Sequence, residues 1–155
     1  MAVSAIPKGF HSVTPYLIMN DAQKAIDFYC DAFSAEHVMQ MPLPDGGIAH
    51  AEIIGDSHIM LSDNGSEEHL KTQKNSVVQL SLMLYVEDVD TVFKKAIELG
   101  ATEIRPVHDQ FYGDRTGTLQ DPFGHIWIIG SHKEDVSDEE LNNRIGNITN
   151  QEQDA

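Results

Sequence analysis

The feature that most constrains this 155-residue chain is an internal repeat. A shift of 67 positions brings matching residues of the two halves into register: Leu17 with Leu84, Asp21 with Asp88, Glu36 with Glu103, Gly46 with Gly113, and His58-Ile59 with His125-Ile126. Both halves also show an apolar run, an amphipathic stretch opened by aspartate, and three further short apolar runs. The chain is therefore expected to consist of two copies of one supersecondary unit.

Each copy follows a βαβββ pattern. Module one covers about residues 11–63, module two covers 77–131, and the polar segment 64–76 is predicted to link them. The predicted helices begin after Asp21 and Asp88, which are suitable N-caps, and each has one apolar stripe. The pattern predicts an α+β fold in which two curved mixed sheets surround a cup-shaped cavity and the helices lie outside. We expect residues 1–132 to form a single domain.

Charge separates the end of the chain from the rest. The chain carries a formal charge of −15, which disfavours nucleic acid and anionic membranes as partners. Residues 133–155 are acidic and nearly free of large apolar side chains, so they are predicted to form a solvated acidic tail. Ser137 and Glu140 have the spacing of a capping box for a short helix through Ile145.

Cysteine content and hydropathy bear on the compartment. Cys30 is the only cysteine, so an intrachain disulfide is excluded, as is usual for a reducing cytoplasm. No apolar run approaches the roughly 20 residues that span a bilayer, and residues 1–11 lack a long apolar segment typical of secretion. The sequence therefore predicts a cytoplasmic protein.

Several motifs in order resemble the vicinal oxygen chelate superfamily, which contains glyoxalase I, the bleomycin resistance proteins and the extradiol dioxygenases. The likeness covers about residues 11–132, and within the superfamily the chain is similar to the PhnB-like branch. It is carried by Asn20-Asp21, Ala25-Ile26-Asp27-Phe28-Tyr29 and Phe33, Ile48-Ala49-His50-Ala51-Glu52, Ile59-Met60-Leu61-Ser62-Asp63, Gly113-Asp114-Arg115, and Asp121-Pro122-Phe123-Gly124-His125-Ile126-Trp127. The resemblance implies a homodimer that completes the cavity. It does not fix a reaction, because one fold hosts many chemistries.

The resemblance also implies four positions where metal-using members hold a divalent ion. In this chain they are occupied by Thr14, Leu61, Ser81 and Ile128, the second placed by the 67-residue shift. Two hydroxyls and two alkyl groups do not suit Fe, Ni, Zn or Mn, which require imidazole, carboxylate or thiolate donors. We therefore expect no metal and no cofactor.

Two polar residues have alternative interpretations. His50 lies within an apolar strand and needs a hydrogen-bond partner, either as a structural residue or as a ligand contact or general base in the cavity. Arg115 either forms an intramolecular ion pair that holds its loop or clamps an anionic group of a ligand. Phe111 and Tyr112 flank this arginine and are predicted to form an aromatic wall.

The first functional hypothesis is a metal-independent protein that binds a small organic molecule, in sequestration of an antibiotic or metabolite. Its predicted ligand contacts are Thr14, Tyr16, His50, Leu61, Ser81, Met83, Phe111, Tyr112, Arg115 and Ile128. The alternative is a glyoxalase-like lyase, isomerase or dioxygenase with a metal on displaced ligands, for which His50, Asp63 and Gln79 are candidates. A third hypothesis is a metal-free enzyme with His50 as general base.

Overall fold

The computed structural model describes residues 5–63 and 80–153. The predicted linker, 64–76, and Gln79 lie outside the described residues. The chain divides into two compact units, Met1–Gln79 and Leu80–Ala155, which contain module one and module two. The expectations that both modules form a single domain and enclose a cup stay predictions.

Module one is a four-stranded mixed sheet with one helix. Its elements are β1 (Tyr16–Met19), α1 (Ala22–Phe33), β2 (Glu36–Pro42), β3 (Ile48–Ile54) and β4 (His58–Asp63). The sheet order is β1-β4-β3-β2, with β1 and β4 parallel and the other pairs antiparallel. The helix packs its apolar stripe on the sheet, where Leu17, Ala51 and Leu61 are buried in register.

Module two repeats this topology. Its elements are β5 (Ser81–Tyr85), α2 (Val89–Glu98), β6 (Thr102–Asp109), β7 (Asp114–Gln120) and β8 (Ile126–His132). The order is β5-β8-β7-β6, and β5 and β8 are the parallel pair. Both modules thus have the predicted βαβββ form, and the α+β fold class is confirmed.

The helices begin as the sequence predicts. The Asp21 carboxylate accepts a hydrogen bond from the Lys24 amide, and Asp88 accepts one from the Thr91 amide. A side chain from the last strand caps each helix a second time: Asp63 accepts from the Ala22 amide at 2.7 Å, and Ser131 accepts from the Val89 amide at 3.0 Å. These bonds satisfy donors that a helix leaves unpaired at its start, so strand and helix are fixed to one another.

The repeat offset changes along the chain, and this overturns one prediction. Leu17 pairs with Leu61, whereas its counterpart Leu84 pairs with Ile129, so the last strands are related by 68 positions and not by 67. The turn between β7 and β8 is longer than the turn between β3 and β4. The residue that corresponds to Ile128 is therefore Met60. Leu61 is fully buried under α1, so the metal position that the 67-residue shift assigned to Leu61 belongs to Met60 instead.

The end of the chain packs on module two. A third helix, α3, spans Asp138–Gln153 and continues past Ile145. The Ser137 hydroxyl accepts a hydrogen bond from the Glu140 amide, so the predicted cap is confirmed. Ahead of the helix, the amides of Lys133 and Glu134 both donate to the Gly113 carbonyl. The segment is mostly exposed, as expected for a solvated tail, but backbone bonds attach its start to the turn before β7.

Candidate functional site

Each sheet has one face against its helix and one turned away, which we call the far face. Cross-strand partners share a face, so register assigns the far face of module one. One row runs Tyr16, Met60, Glu52, Met39 across β1, β4, β3 and β2, and His50 beside Met41 belongs to the next row. Of the predicted ligand contacts, Tyr16 and His50 are brought together on this face.

A hydrogen-bonded network joins the polar side chains of this far face. The Tyr16 hydroxyl lies 3.2 Å from His50 Nδ1, and His50 Nε2 lies 3.3 Å from Glu52 Oε1. The rings of Tyr16 and His50 have centroids 5.7 Å apart. The side chains of His50 and Glu52 are 20% and 17% exposed, so both are largely shielded while their polar atoms stay near the surface. The prediction that His50 has a partner is confirmed.

The network fixes the proton positions of a neutral imidazole. An ionised Glu52 only accepts hydrogen bonds, so His50 Nε2 carries the proton and donates to it. His50 Nδ1 is then free to accept from the Tyr16 hydroxyl. The carboxylate therefore orients the imidazole so that its basic nitrogen faces a phenol, an arrangement suited to binding a polar group or moving a proton.

Methionines surround the network. Met39 and Met41 are exposed at 37% and 47%, and Met60 is half-buried between Tyr16 and Glu52 in the sheet. Methionine is flexible and polarisable, so such a surface adapts to apolar ligands of irregular shape. Sequence reasoning missed Glu52, Met39, Met41 and Met60. The available signal was the alternation of side-chain direction along strands β2 and β3, since residues two apart in a strand share a face.

The far face of module two holds three other predicted contacts. Met83 pairs with Ile128, and Ser81 lies two residues before Met83 on β5. The methionine side chain lies over Gly130, where an added Cβ would be 2.6 Å from its terminal methyl carbon. These residues form a mostly apolar strip along β5 and β8.

A second polar network lies at one end of this far face. The Tyr85 hydroxyl donates to Asp114 at 2.8 Å, the other Asp114 oxygen lies 2.7 Å from His132 Nδ1, and His132 Nε2 lies 2.9 Å from Asp135. The hydrogen bond with Asp114, and then that with Asp135, raises the pKa of His132. The bond to Asp114 also raises the pKa of the Tyr85 hydroxyl. Sequence reasoning missed this network, whose members come from three separate segments.

Arg115 lies on the helix side of β7, not on the far face. It pairs with Ser131, the residue that caps α2. Its guanidinium donates to both oxygens of Asp90 at 2.8 Å and to Asp109 at 3.1 Å. Of the two alternatives for Arg115, the structure shows the intramolecular ion pair, although the partners are not the adjacent Asp114. The carboxylates hold the arginine pKa above its ordinary value.

Phe111 and Tyr112 lie in the turn before β7, with ring centroids 5.3 Å apart in an edge-to-face arrangement. Both are exposed. The Arg144 guanidinium of α3 donates to the Phe111 carbonyl at 3.0 Å. Thr14 precedes β1, and its hydroxyl donates to the His11 carbonyl at 3.2 Å. The ligand contacts proposed for these three residues stay predictions.

The donors at the family's metal positions do not suit a divalent transition metal. With the register corrected, these positions hold Thr14, Met60, Ser81 and Ile128, which offer no imidazole, carboxylate or thiolate. The displaced set is not assembled either. Asp63 lies on the helix side of the sheet, where its oxygens accept from the amides of Ala22 and Ile48, whereas His50 lies on the far face. Within residues 5–63 and 80–153, no three His, Cys, Asp or Glu side chains are grouped as a metal site.

Comparison with known proteins gives the family. The profile of the Glyoxalase/Bleomycin resistance protein/Dioxygenase superfamily matches residues 9–129. The chain belongs to this superfamily. An uncharacterized protein of Mycobacterium bovis is 35% identical over 147 residues, covering 91% of the chain and 93% of the relative. One of Mycobacterium tuberculosis is also 35% identical and is covered to 84%.

Solved structures of the superfamily share the fold. A glyoxalase/bleomycin resistance protein/dioxygenase family enzyme of Burkholderia phytofirmans has a TM-score of 0.64 and 19% identity, covering 76% of the chain and 94% of the neighbour. A PhnB protein of Bacillus cereus, described as a putative 3-demethylubiquinone-9 3-methyltransferase, has a TM-score of 0.63 and 21% identity, with 78% and 99% coverage. The fosfomycin resistance protein FosX of Mesorhizobium loti has a TM-score of 0.57 and 13% identity, with 79% and 92% coverage. In the part of the chain that the structure describes, no helix is long and apolar enough to cross a membrane.

Proposed function

We propose that this superfamily member is a metal-independent binding protein that holds a small organic molecule on the far face of module one. The observation that carries the proposal is the network of Tyr16, His50 and Glu52 among exposed methionines. Binding sites commonly combine an apolar lining with a few polar groups in fixed positions. Here the imidazole and phenol supply the polar groups, and the thioethers supply the lining.

The hydrogen bonds of this network are long, and this supports a role with a ligand. At 3.2 and 3.3 Å they lie at or just past the upper end of the usual range for hydrogen bonds between nitrogen and oxygen. Little stabilisation is lost when a ligand group replaces one of them.

The charges favour a neutral or cationic ligand. Glu52 is the acidic member of the network, and the chain as a whole has a formal charge of −15. An anionic ligand would be repelled by both. An antibiotic or metabolite with a basic or hydrogen-bonding group and an apolar body satisfies these conditions.

The test begins with native mass spectrometry of protein taken directly from cells, which identifies a co-purified molecule by mass. Affinity is then measured by calorimetry for wild type, His50→Ala and Glu52→Gln. Each variant is expected to bind about tenfold more weakly, the effect of losing roughly 1.4 kcal/mol. His37→Ala, which removes an exposed imidazole of the neighbouring strand β2, is the matched control. Equal affinity of His50→Ala and wild type would contradict the proposal.

The same geometry favours one second candidate, a metal-free acid/base enzyme. Glu52 orients His50, and His50 Nδ1 is placed to take a proton from the Tyr16 hydroxyl or from a substrate in its place. The formation of imidazolium would be stabilised by the carboxylate. In this case His50→Ala abolishes turnover and leaves ligand affinity largely intact, whereas a binding role alone predicts the loss of affinity. Tyr16→Phe distinguishes proton transfer from the Tyr16 hydroxyl from proton transfer from a substrate, since it removes only the hydroxyl group.

The proposal includes the cytoplasmic location and the homodimer expected from the sequence. Sedimentation equilibrium over a range of concentrations distinguishes a 17.2 kDa monomer from a dimer. Fractionation of the source cells tests the compartment. A stable monomer would remove the dimer from the proposal without affecting ligand binding on module one.

A further inference from the structure

The two methionines of strand β2 that line the proposed ligand site have a spacing that also suits a metal ion. In the segment Met39-Gln40-Met41 the two thioethers are two residues apart, so they lie on one face of the strand. Register places them on the far face, where Met39 pairs with Glu52 and Met41 pairs with His50. The two methionine side chains are exposed at 37% and 47% on the edge strand of the sheet.

These sulfur atoms lie within reach of an imidazole. Directly opposed residues of antiparallel strands have Cβ atoms about 4.5–5.5 Å apart, and diagonal neighbours about 7–8 Å apart. Met41 is directly opposite His50, and Met39 is diagonal to it. Methionine has three rotatable side-chain bonds, so both sulfur atoms can approach one ring nitrogen. His50 is available, because its contacts at 3.2 and 3.3 Å are weak enough to exchange for a stronger one.

Two thioethers and an imidazole are selective donors. Soft sulfur ligands select Cu(I) and imidazole also binds copper, whereas hard dications prefer oxygen donors to a set that is mostly thioether. Glu52, beside both His50 and Met39, supplies a negative charge for a monovalent cation. We propose that Met39, Met41 and His50 form a binding site for Cu(I) on the far face of module one.

This site overlaps the proposed organic-ligand site, because both use His50 and the methionines of β2, but Cu(I) binding does not require the organic molecule. Leucine retains an apolar side chain of similar size without the sulfur. Met39→Leu/Met41→Leu therefore removes the copper donors and keeps an apolar lining. Cu(I) affinity is measured without the organic molecule, so a loss of copper binding in the double variant tests the metal site alone. Failure of either proposal leaves the other standing.

The experiment is an anaerobic competition for Cu(I) against bicinchoninate, with the full chain in a Cys30→Ala background. The cysteine is removed because a thiol is itself a copper ligand. The expected result is one competing Cu(I) per chain. Changes of outer groups around metal sites already cost about 10–100-fold in affinity, so Met39→Leu/Met41→Leu is expected to weaken binding by about 100-fold or more. His50→Gln is expected to weaken it by at least about tenfold.

Matched controls show whether the effect belongs to this site. Met83→Leu removes an exposed methionine of module two, and His37→Gln removes a neighbouring imidazole of β2. Both are expected to bind Cu(I) as the parent does. The proposal is overturned if the parent competes no better than the Met39→Leu/Met41→Leu variant, or if Met83→Leu weakens binding equally.

A site-resolved measurement gives the same answer by another route. Ag(I) is a redox-stable substitute for Cu(I), and 13C labelling of the methionine methyl groups gives separate NMR signals for the six methionines. Titration with Ag(I) is expected to shift the signals of Met39 and Met41 and leave that of Met83 in place. Unchanged Met39 and Met41 signals at one equivalent of Ag(I) would refute the site.

Discussion

The two modules place a tyrosine, a histidine and a carboxylate on their far faces, but the networks differ in strength. In module one the contacts of His50 are 3.2 and 3.3 Å long. In module two Asp114 and His132 are joined at 2.7 Å, and the neighbouring bonds are 2.8 and 2.9 Å. Short charge-assisted bonds are the strong ones. We therefore expect the network of module two to contribute more to stability than that of module one, in keeping with the ligand-binding role proposed for module one.

The turns before the last strands show the same contrast and carry the largest predicted effect. The buried Asp121 carboxylate accepts from the amides of Phe123 and His125 and from the Trp127 indole. Asp121→Ala leaves these donors without their acceptor, and we expect a loss of about 3–5 kcal/mol. Asp56→Ala, in the exposed turn of module one, is expected to change stability by about 0.5 kcal/mol or less.

Urea unfolding followed by the fluorescence of Trp127, the only tryptophan, measures the first of these changes. Circular dichroism at 222 nm measures both. Similar losses in the two variants would mean that the turns are equivalent, and the expectation that module two contributes more to stability would fail at this point.

The second largest effect compares the residues that cap the helices from the last strands. Asp63 accepts two amide protons at 2.7 Å as a charged group, whereas Ser131 accepts one at 3.0 Å and donates one to the Val86 carbonyl. Hydrogen bonds to charged groups are worth more, and a carboxylate also interacts well with a helix N-terminus. We expect Asp63→Ala to cost about 3 kcal/mol and Ser131→Ala about 1–2 kcal/mol.

Equilibrium unfolding in urea gives both values, and Asp63→Asn shows how much of the difference is charge. The asparagine keeps one acceptor oxygen and is expected to lose less than the alanine variant. If Ser131→Ala were the more destabilising change, the charge-based explanation of the difference would be refuted.

Much of this architecture was predictable from the sequence, because it depends on local patterns. The helix starts at Asp21 and Asp88, the strand periods and the repeat all act over a few residues, and family resemblance supported them. Leu61 shows where such reasoning fails. Its side chain points to α1, and the 67-residue offset misassigned it because the turn at Asp121 is longer than the corresponding turn of module one. The pairing of Arg115 with Asp90 also spans elements that no local pattern connects.

The third prediction uses pH to separate the two networks. The carboxylates of Asp114 and Asp135 raise the pKa of His132 above its ordinary value of about 6.5. The protonated histidine is thus favoured in the folded state. Its contribution to stability is fully present below pH 6.5 and is lost as the pH rises through the folded pKa. We expect the stability difference between wild type and His132→Gln to be largest near pH 6 and to shrink above it.

The measurement is the urea midpoint of wild type and His132→Gln at several pH values between 5.5 and about 9, a range set by the raised pKa. An NMR titration of the imidazole gives the folded pKa directly. A difference between the two proteins that is constant with pH would show that His132 contributes by packing alone. His108→Gln, which alters a histidine of β6 on the same module, is the control.

The smallest effect on stability is expected at the turns that precede β3 in module one and β7 in module two. In module two the Arg144 guanidinium bonds to the Phe111 carbonyl and to both oxygens of Glu134, and the Lys133 and Glu134 amides donate to the Gly113 carbonyl. In module one the corresponding turn is closed by its own bonds between Leu43 and Gly47. Because Arg144 only reinforces backbone bonds that persist without it, Arg144→Ala is expected to leave the midpoint of urea unfolding nearly unchanged. Its effect should be local, a several-fold faster amide exchange at Lys133 and Glu134 with exchange at Leu43 unchanged. Unchanged exchange at Glu134 would mean that the backbone bonds alone attach the segment to module two, and faster exchange at Leu43 would mean that the turns do not open independently.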